Sequence, residues 1–228
     1  MSKLSIVIPV LDEGEGIAAA LDRLADLRAL GTEVIVVDGG RRDATIQRAR
    51  PRVDRVILAP RGRAPQMNAG AEKASGGVLL FLHADTRLPA DADHIVLSGL
   101  ERSGRAWGRF DVKIEGRSAL LRVIARLMNI RSRLTGIATG DQAIFVRRAT
   151  FEAMGGFAAL PLMEDIAFSR ALKRQGRIAC LRDQVETSAR RWLRHGPLRT
   201  VLLMWWLRLL YFLGASPTSL RRRYDDSR

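Results

Sequence analysis

Residues able to carry chemistry collect where short apolar runs stop. The run Val78–Leu82 ends abruptly in His83-Ala84-Asp85-Thr86, followed by Arg87 and Pro89. An unbroken apolar stretch of this kind suits a strand covered on both faces of a parallel sheet. In open parallel sheets, ligands gather at the carboxyl ends of strands. A carboxylate beside an imidazole at such an end suits a divalent cation held against a phosphate. Hard cations take oxygen ligands, and Mg²⁺ or Mn²⁺ is commonly held by one or two carboxylates plus substrate phosphates.

Two earlier runs end in the same way. Leu4–Val10 leads through Pro9 into Leu11-Asp12-Glu13, and Val34–Val37 leads into Asp38-Gly39-Gly40. Three acidic strand ends along one sheet edge suit a nucleoside and its metal. The turn after the first strand can sandwich a base, Asp38 can accept hydrogen bonds from a ribose or a base N–H, and Asp85 can hold the cation on a diphosphate. Arg61, Arg63 and Asn68 follow the third strand and add donors for an anionic ligand. Singly, each group is also an ordinary polar turn or a solvated arginine. Their recurrence in this order gives them weight.

The elements that position these groups alternate. Strands are predicted at Leu4–Val10, Val34–Val37, Val53–Leu58 and Val78–Leu82. Helices are predicted at Gly14–Leu30, Asp43–Arg50 and Pro65–Ala74. Such alternation with short links indicates an α/β chain with a mostly parallel central sheet and flanking helices. Further on, helices are expected at Asp91–Arg102, Ser118–Leu134 and Glu164–Gln175. Strands are expected at Trp107–Ile114 (one face wet), Gln142–Arg147, Arg177–Leu181 and Val185–Ser188. One domain is expected over 1–195, its nucleotide-binding half about 1–90 and its acceptor half about 91–195. A C-terminal apolar and basic segment follows over 196–228.

Composition bounds the function. The 228 residues suffice for one sizeable core. The net charge of +14 favours an anionic partner: a nucleotide, a nucleic acid or an acidic membrane surface. Cys180 is the one cysteine, which excludes an internal disulfide and a cysteine zinc cluster. Nothing near Met1 resembles a signal peptide, so a cytoplasmic location is expected. No nucleic-acid module is recognisable, and nucleic acid is not an expected partner.

Gly14-Glu15-Gly16-Ile17-Ala18-Ala19 outlines a dinucleotide fingerprint, with Asp38 about twenty residues on. Its physics is wrong. Asp12, Glu13 and Glu15 crowd with negative charge a turn that should receive a pyrophosphate. A nucleotidyltransferase would likewise want a basic, glycine-rich loop after the first strand.

The sequence resembles family-two glycosyltransferases of the GT-A fold over roughly Leu4–Trp192. Pro9–Glu13 matches the family's Pro-x-x-Asn-Glu segment with Asp12 in the Asn place, and Val37-Asp38-Gly39-Gly40 matches Val-Asp-Gly-Ser. His83-Ala84-Asp85 stands where the family has Asp-x-Asp. Glu164-Asp165 matches the acceptor-side Glu-Asp pair, and Arg191-Trp192 is what survives of a Gln-x-x-Arg-Trp signature. Longer segments, among them RGRAPQMNAGA, LFLHADTRLP and TGIATGDQAIFVRR, are similar to a bacterial subgroup described as radical-SAM/selenium-associated, or arsenosugar-biosynthesis, glycosyltransferases.

The resemblance implies inverting sugar transfer from a nucleotide-sugar, a UDP-sugar, with Mn²⁺ or Mg²⁺ as cofactor. The acceptor it leaves open is a small molecule or a lipid-linked one. The implied donor contacts are Pro9, Leu11, Glu13, Asp38, Arg63, Asn68, His83 and Ala84, with Asp85 as the metal ligand. Asp165 would take the acceptor's proton beside Glu164, Arg63 and Arg191 would stabilise the charge on the leaving group, and Trp192 completes the implied catalytic set. Asp141 and Gln142 would line the acceptor pocket. His195 is a further candidate for the metal shell, and Trp107 could stack on a sugar or simply be buried.

Thr200–Leu220 is almost wholly apolar, with Arg208 as its one charge. Gly214 and Pro217 shorten the expected helix to Pro197–Leu213. Trp205, Trp206 and Tyr211, followed by Arg221-Arg222-Arg223, fit a helix lying at an interface near anionic headgroups. Packing on its own domain, a homodimer contact, an inner-face membrane contact and a true membrane span all remain open at this point.

Overall fold

The computed structural model describes residues 3–14, 16–40 and 44–226, with the side chains of Arg191 and Asp226 outside that description. In chain order the elements are β1 (Leu4–Val10), α1 (Ile17–Asp22), α2 (Ala25–Ala29), β2 (Glu33–Asp38), α3 (Thr45–Ala49), β3 (Arg55–Leu58), α4 (Arg63–Lys73) and β4 (Val78–Phe81). There follow β5 (Thr86–Arg87), α5 (Ala92–Ser103), β6 (Trp107–Ile114), α6 (Ala119–Thr135), β7 (Phe145–Arg147), α7 (Arg148–Ala153) and α8 (Glu164–Gln175). The chain closes with β8 (Ala179–Thr187), α9 (Arg190–His195), α10 (Pro197–Phe212) and α11 (Pro217–Asp226).

All eight strands join one sheet in the order β3-β2-β1-β4-β7-β6-β8-β5. The pairs β3–β2, β2–β1, β1–β4 and β6–β8 are parallel, whereas β7 runs antiparallel to both β4 and β6. The α/β architecture with a mostly parallel sheet is as the sequence predicts. β1, β2 and β4 are apolar runs because each is buried on both faces. Helix α4 lies so close over β1 and β2 that a Cβ at Gly70 would stand 2.4 Å from Val7 and 2.9 Å from Val37. That contact fixes the start of α4, and with it Arg63, relative to the strand ends.

Several elements differ from expectation. The helix predicted over Gly14–Leu30 is two short helices, because the chain turns at Arg23 and Leu24 before α2. The two strands expected at Arg177–Leu181 and Val185–Ser188 are the single strand β8. The supposed wet face of β6 is mostly covered: Arg109 is fully buried under α6, bonded to Ser132 Oγ and the Asn129 carbonyl, both at 3.1 Å, and to Asp111. Asn129 in turn bonds Val112 N–H and C=O at 2.8 and 2.9 Å, pinning α6 to the sheet. Helix α11 is not foreseen in the sequence. Its Leu220 and Tyr224 pack with Leu207 of α10 onto Met163 and Ile166, so both C-terminal helices fold back onto the domain.

Candidate active site

The strand order reverses between β1 and β4, which places a crevice beyond their carboxyl ends. Two cavities of about 420 and 390 Å³ open there, and both are lined by Glu13, Arg63, His83, Asp85 and Tyr224. Volumes of this order suit a small-molecule ligand. Pro9, Leu11, Arg61, Ala84 and Glu164 line the smaller cavity, on the side of β1 and α4. Gln66 closes its floor: its buried amide donates to Val10 and Val37 carbonyls, both at 2.7 Å, tying the ends of β1 and β2 together.

The antiparallel course of β7 brings the preceding turn, Gly140–Gln142, to the tip of β4. His83 Nδ1 lies 3.4 Å from Asp141. Gly140 is packed against the other edge of the ring, where a Cβ would stand 2.3 Å from His83 Nε2. The same glycine donates its N–H to Asp165 Oδ2 at 2.9 Å, and Asp165 Oδ1 accepts the N–H of Ile166 at 2.7 Å. The Glu164–Asp165 pair thus opens α8, with Glu164 facing the smaller cavity and Asp165 tied to the turn before β7. A left-handed Met163, φ +68°, starts the helix.

The wall of the larger cavity comes from the chain after β8. Thr86 of β5 pairs with Thr187, and Ser188 donates its N–H to the Asp85 carbonyl at 3.1 Å. Arg190 then reaches to 3.9 Å from Glu13, and Trp192, Arg194 and His195 line the wall.

Burial pushes the Glu13 carboxyl above its ordinary range, with Arg190 opposing and Asp85 adding to the shift. Glu164 is likewise pushed up, by burial first and by the Asp165 charge next, against Arg63 3.9 Å away. Burial of Arg131 on α6 lowers its guanidinium to about 10, helped by Arg208 of α10 and opposed by Asp165 and Asp141. Its Nε and Nη2 are buried with no hydrogen-bond partner among the described residues.

Among the described residues, no group of three or more His, Cys, Asp or Glu side chains is placed to cage a metal ion. Asp85 is nevertheless exposed at both cavities, close enough for its charge to act on Glu13. That donor set fits a hard cation completed by the oxygens of a diphosphate, and does not fit a protein-only site.

Three predicted contacts fall elsewhere. Asn68 lines neither cavity: its amide exchanges two hydrogen bonds of 2.9 Å with the Phe157 backbone. Gln142 is fully buried, accepting Thr139 N–H at 3.2 Å, and cannot face an acceptor. Asp38 is buried at the end of β2, accepts Gly40 N–H at 3.1 Å and lines neither cavity. Trp107 is buried and bonds the Gly176 carbonyl at 3.2 Å, so it packs rather than stacks. The side chain of Arg191 lies outside the described residues. Arg190, Gln66, Arg131 and Tyr224 are the groups sequence reasoning missed. Gln66 stood in the quoted RGRAPQMNAGA segment without a role.

The family model described as glycosyl transferase family 2 matches residues 5–155. With more than half of the chain matched, the protein belongs to glycosyltransferase family 2, and its fold is the GT-A type. A search of curated proteins finds no match. Among solved structures, S. aureus TarS 1–349 in complex with UDP-GlcNAc is similar at TM-score 0.64 and 20% identity, over 82% of this chain and 58% of that one. The Pyrobaculum calidifontis mannosyltransferase PcManGT, in complex with GDP-Man and Mn²⁺, is similar at TM-score 0.61 and 17% identity, over 81% and 56%. Glucosyl-3-phosphoglycerate synthase from Mycobacterium tuberculosis, in complex with Mn²⁺, UDP and glucosyl-3-phosphoglycerate, gives TM-score 0.57 and 19% identity, over 82% and 70%. The chain spans 60% of the TarS 1–349 fragment and 36% of the longer TarS chain. Identities this low bear on the fold.

Proposed function

We propose that the chain is an inverting, hexosyltransferase-type enzyme that moves a sugar from a UDP-sugar to an acceptor nucleophile, with Mn²⁺ or Mg²⁺ assisting. One observation carries the reading: groups from separate strand ends, Glu13, His83 and Asp85, meet Arg63 around two shared cavities, the smaller of which Glu164 also lines. The long motifs quoted above support the arsenosugar-biosynthesis subgroup. Residues 1–195 carry the transferase machinery, working in the cytoplasm, and the helices of 196–228 pack back onto them and bring Tyr224 to both cavities.

The nucleotide lies on the β1 side, over Pro9 and Leu11, with its diphosphate toward Asp85 and Arg63. A cation bound at Asp85 supplies charge neutralisation for the departing diphosphate. Arg63 and Arg190 take up the negative charge that develops as the bond from the anomeric carbon to the phosphate oxygen breaks. The acceptor oxygen attacks that carbon from the opposite face, and its proton passes to Asp165. Glu164 lines the smaller cavity next to Arg63; Asp165 lines neither cavity but is bonded to Gly140, whose neighbour Asp141 lines the larger one, and that link supports an acceptor-side place for it. Two N–H bonds leave lone pairs free on a carboxylate.

A thermal-shift panel of nucleotide sugars with and without Mn²⁺ tests the reading. A ligand at about 100 times its dissociation constant adds about 2.7 kcal/mol to stability. Stabilisation by a UDP-sugar that requires the cation is expected. A flat response across the panel would sink the proposal.

A further inference from the structure

Helices α6 and α10 lie side by side, joined through Ile124, Met128 and Val201, and both turn apolar residues outward. On α6 these are Leu120, Val123, Leu127, Ile130 and Leu134, a stripe at alternating spacings of three and four. Leu134 is 82% exposed. On α10 the inner face uses Leu207 and Thr200, while Leu202, Trp205, Trp206, Leu209, Phe212 and Leu213 look out. A helix apolar all round is normally covered on every side. Arg208, the charge in the middle of α10, is half-buried and within reach of Arg131, so it does not break the outer face.

The net charge is concentrated in the two stretches of sequence that carry these helices. From Gly116 to Gly140 there are five arginines and no acid, and from Thr187 to Tyr224 there are eight arginines and no acid. Those thirteen account for all but one unit of the net +14. A three-four apolar stripe also suits a coiled-coil partner, but a second copy would set Arg122, Arg126 and Arg133 against their own kind with no acid in either helix to answer them. Anionic headgroups answer them, and a tryptophan pair amid exposed leucines suits the boundary between headgroups and acyl chains. At 16 residues α10 does not cross a bilayer, and no described helix is long and apolar enough to do so.

We propose that the joined outer faces of α6 and α10 dock on an anionic lipid bilayer, with Trp205 and Trp206 as the inserted anchors. Gly196 alone separates α10 from α9, whose Trp192, Arg194 and His195 line the larger cavity, so docking sets that cavity close to the headgroups.

The test is co-sedimentation of the full chain with phosphatidylglycerol/phosphatidylcholine vesicles and with phosphatidylcholine vesicles alone. The expected result is partitioning onto the anionic vesicles, a blue shift in tryptophan emission, and weakening as salt shortens the screening length. The double variant Trp205→Gln/Trp206→Gln should lose about tenfold or more of the partitioning. Leu134→Asp, on the other helix, should weaken it as well. Both sites are exposed, and unchanged circular dichroism and nucleotide-sugar thermal shift show that the fold and the donor site persist. No binding to anionic vesicles, equal binding to neutral ones, or undiminished binding by the double variant would overturn the proposal. So would a stable dimer in light scattering that the double variant dissociates. Because vesicle binding needs no nucleotide, its failure is separate from failure of the transferase reading.

Discussion

Asp165 accepts the backbone N–H of Gly140 at 2.9 Å, a bond that spans 25 positions of sequence and ties the first turn of α8 to the turn before β7. The tie fixes the proposed base beside the Gly140–Asp141 turn, while its neighbour Glu164 faces the smaller cavity. Asp165→Asn should therefore bind donor normally, by thermal shift, and turn over about 10²–10⁴-fold more slowly. Glu164→Gln should instead raise the donor KM. Wild-type turnover by Asp165→Asn would remove it as the base.

Gly140 also packs against the His83 ring. A methyl there would stand 2.3 and 2.4 Å from the ring atoms Nε2 and Cε1, so the ring must leave its place beside Asp141. Gly140→Ala should cost about 1–3 kcal/mol in stability, as overpacking does, and weaken donor binding. Gly16→Ala, where a Cβ meets nothing within 4 Å, is the control. Equal thermal shifts with nucleotide sugar in the two variants would refute a role for His83 at the donor.

Glu13 is held above its ordinary value of 4.5, first by burial and further by Asp85, with Arg190 opposing. A raised carboxyl contributes stability that is present below the unfolded value and lost as pH rises through the folded one. The ligand-free Glu13→Gln variant should thus lose less melting temperature than wild type as pH goes from 4.5 toward neutrality. Glu33 has the opposite sign. Burial raises it, but Ser5 and Ser75 donate to it and outweigh that, so its contribution is lost as pH falls through its lowered value. Glu33→Gln should be destabilised at neutral pH and converge with wild type in acid. Melting curves across pH read both.

Asp85→Asn should keep the fold, because its side chain is exposed, and lose the part of nucleotide-sugar stabilisation that depends on Mn²⁺. A cation-dependent shift equal to that of wild type would place the cation elsewhere.

Leu220 is fully buried between α11, α10 and Met163, and Leu→Ala in a core costs about 2–5 kcal/mol. A cost of that size falls first on the local docking of α11. Leu220→Ala should speed amide exchange over 217–226 and raise the donor KM through displacement of Tyr224, which lines both cavities. Melting temperature should move less than the full core cost implies. Slow exchange with unchanged KM would separate α11 from the site.

The first half of the fold was legible because burial on both faces writes itself as apolar runs: β1, β2 and β4 are such runs. Helix α8 was legible at both ends, after Pro161 and before Gly176. β8 was misread as two strands because Arg182, Asp183 and Gln184 are exposed in its middle, where the pairing with β6 itself skips from Cys180 to Gln184 at an irregularity while the strand continues. α11 was hidden by Arg221-Arg222-Arg223. Only Leu220 and Tyr224, four apart, mark its inner side. Within the site, strand-end groups could be read from position alone. What Asn68 does depends on the Phe157 backbone 89 positions away, and Gln142 and Asp38 are withdrawn by burial under the rest of the fold, which no local pattern carries. Arg109 shows the same limit, since alternation placed it in water and α6 covers it.

Strand β7 is three residues long, yet within the sheet it is the sole seam between β3-β2-β1-β4 and β6-β8-β5. A chimaera cut there severs one short ladder of the sheet, and the incoming half has to match the core that crosses it, where Val7 and Phe81 cluster with Trp107 and Phe168. Exchanging what lies beyond that narrow stitch with another family member would leave the nucleotide-facing strands untouched, so altered recipients could be sought without rebuilding the first half of the molecule.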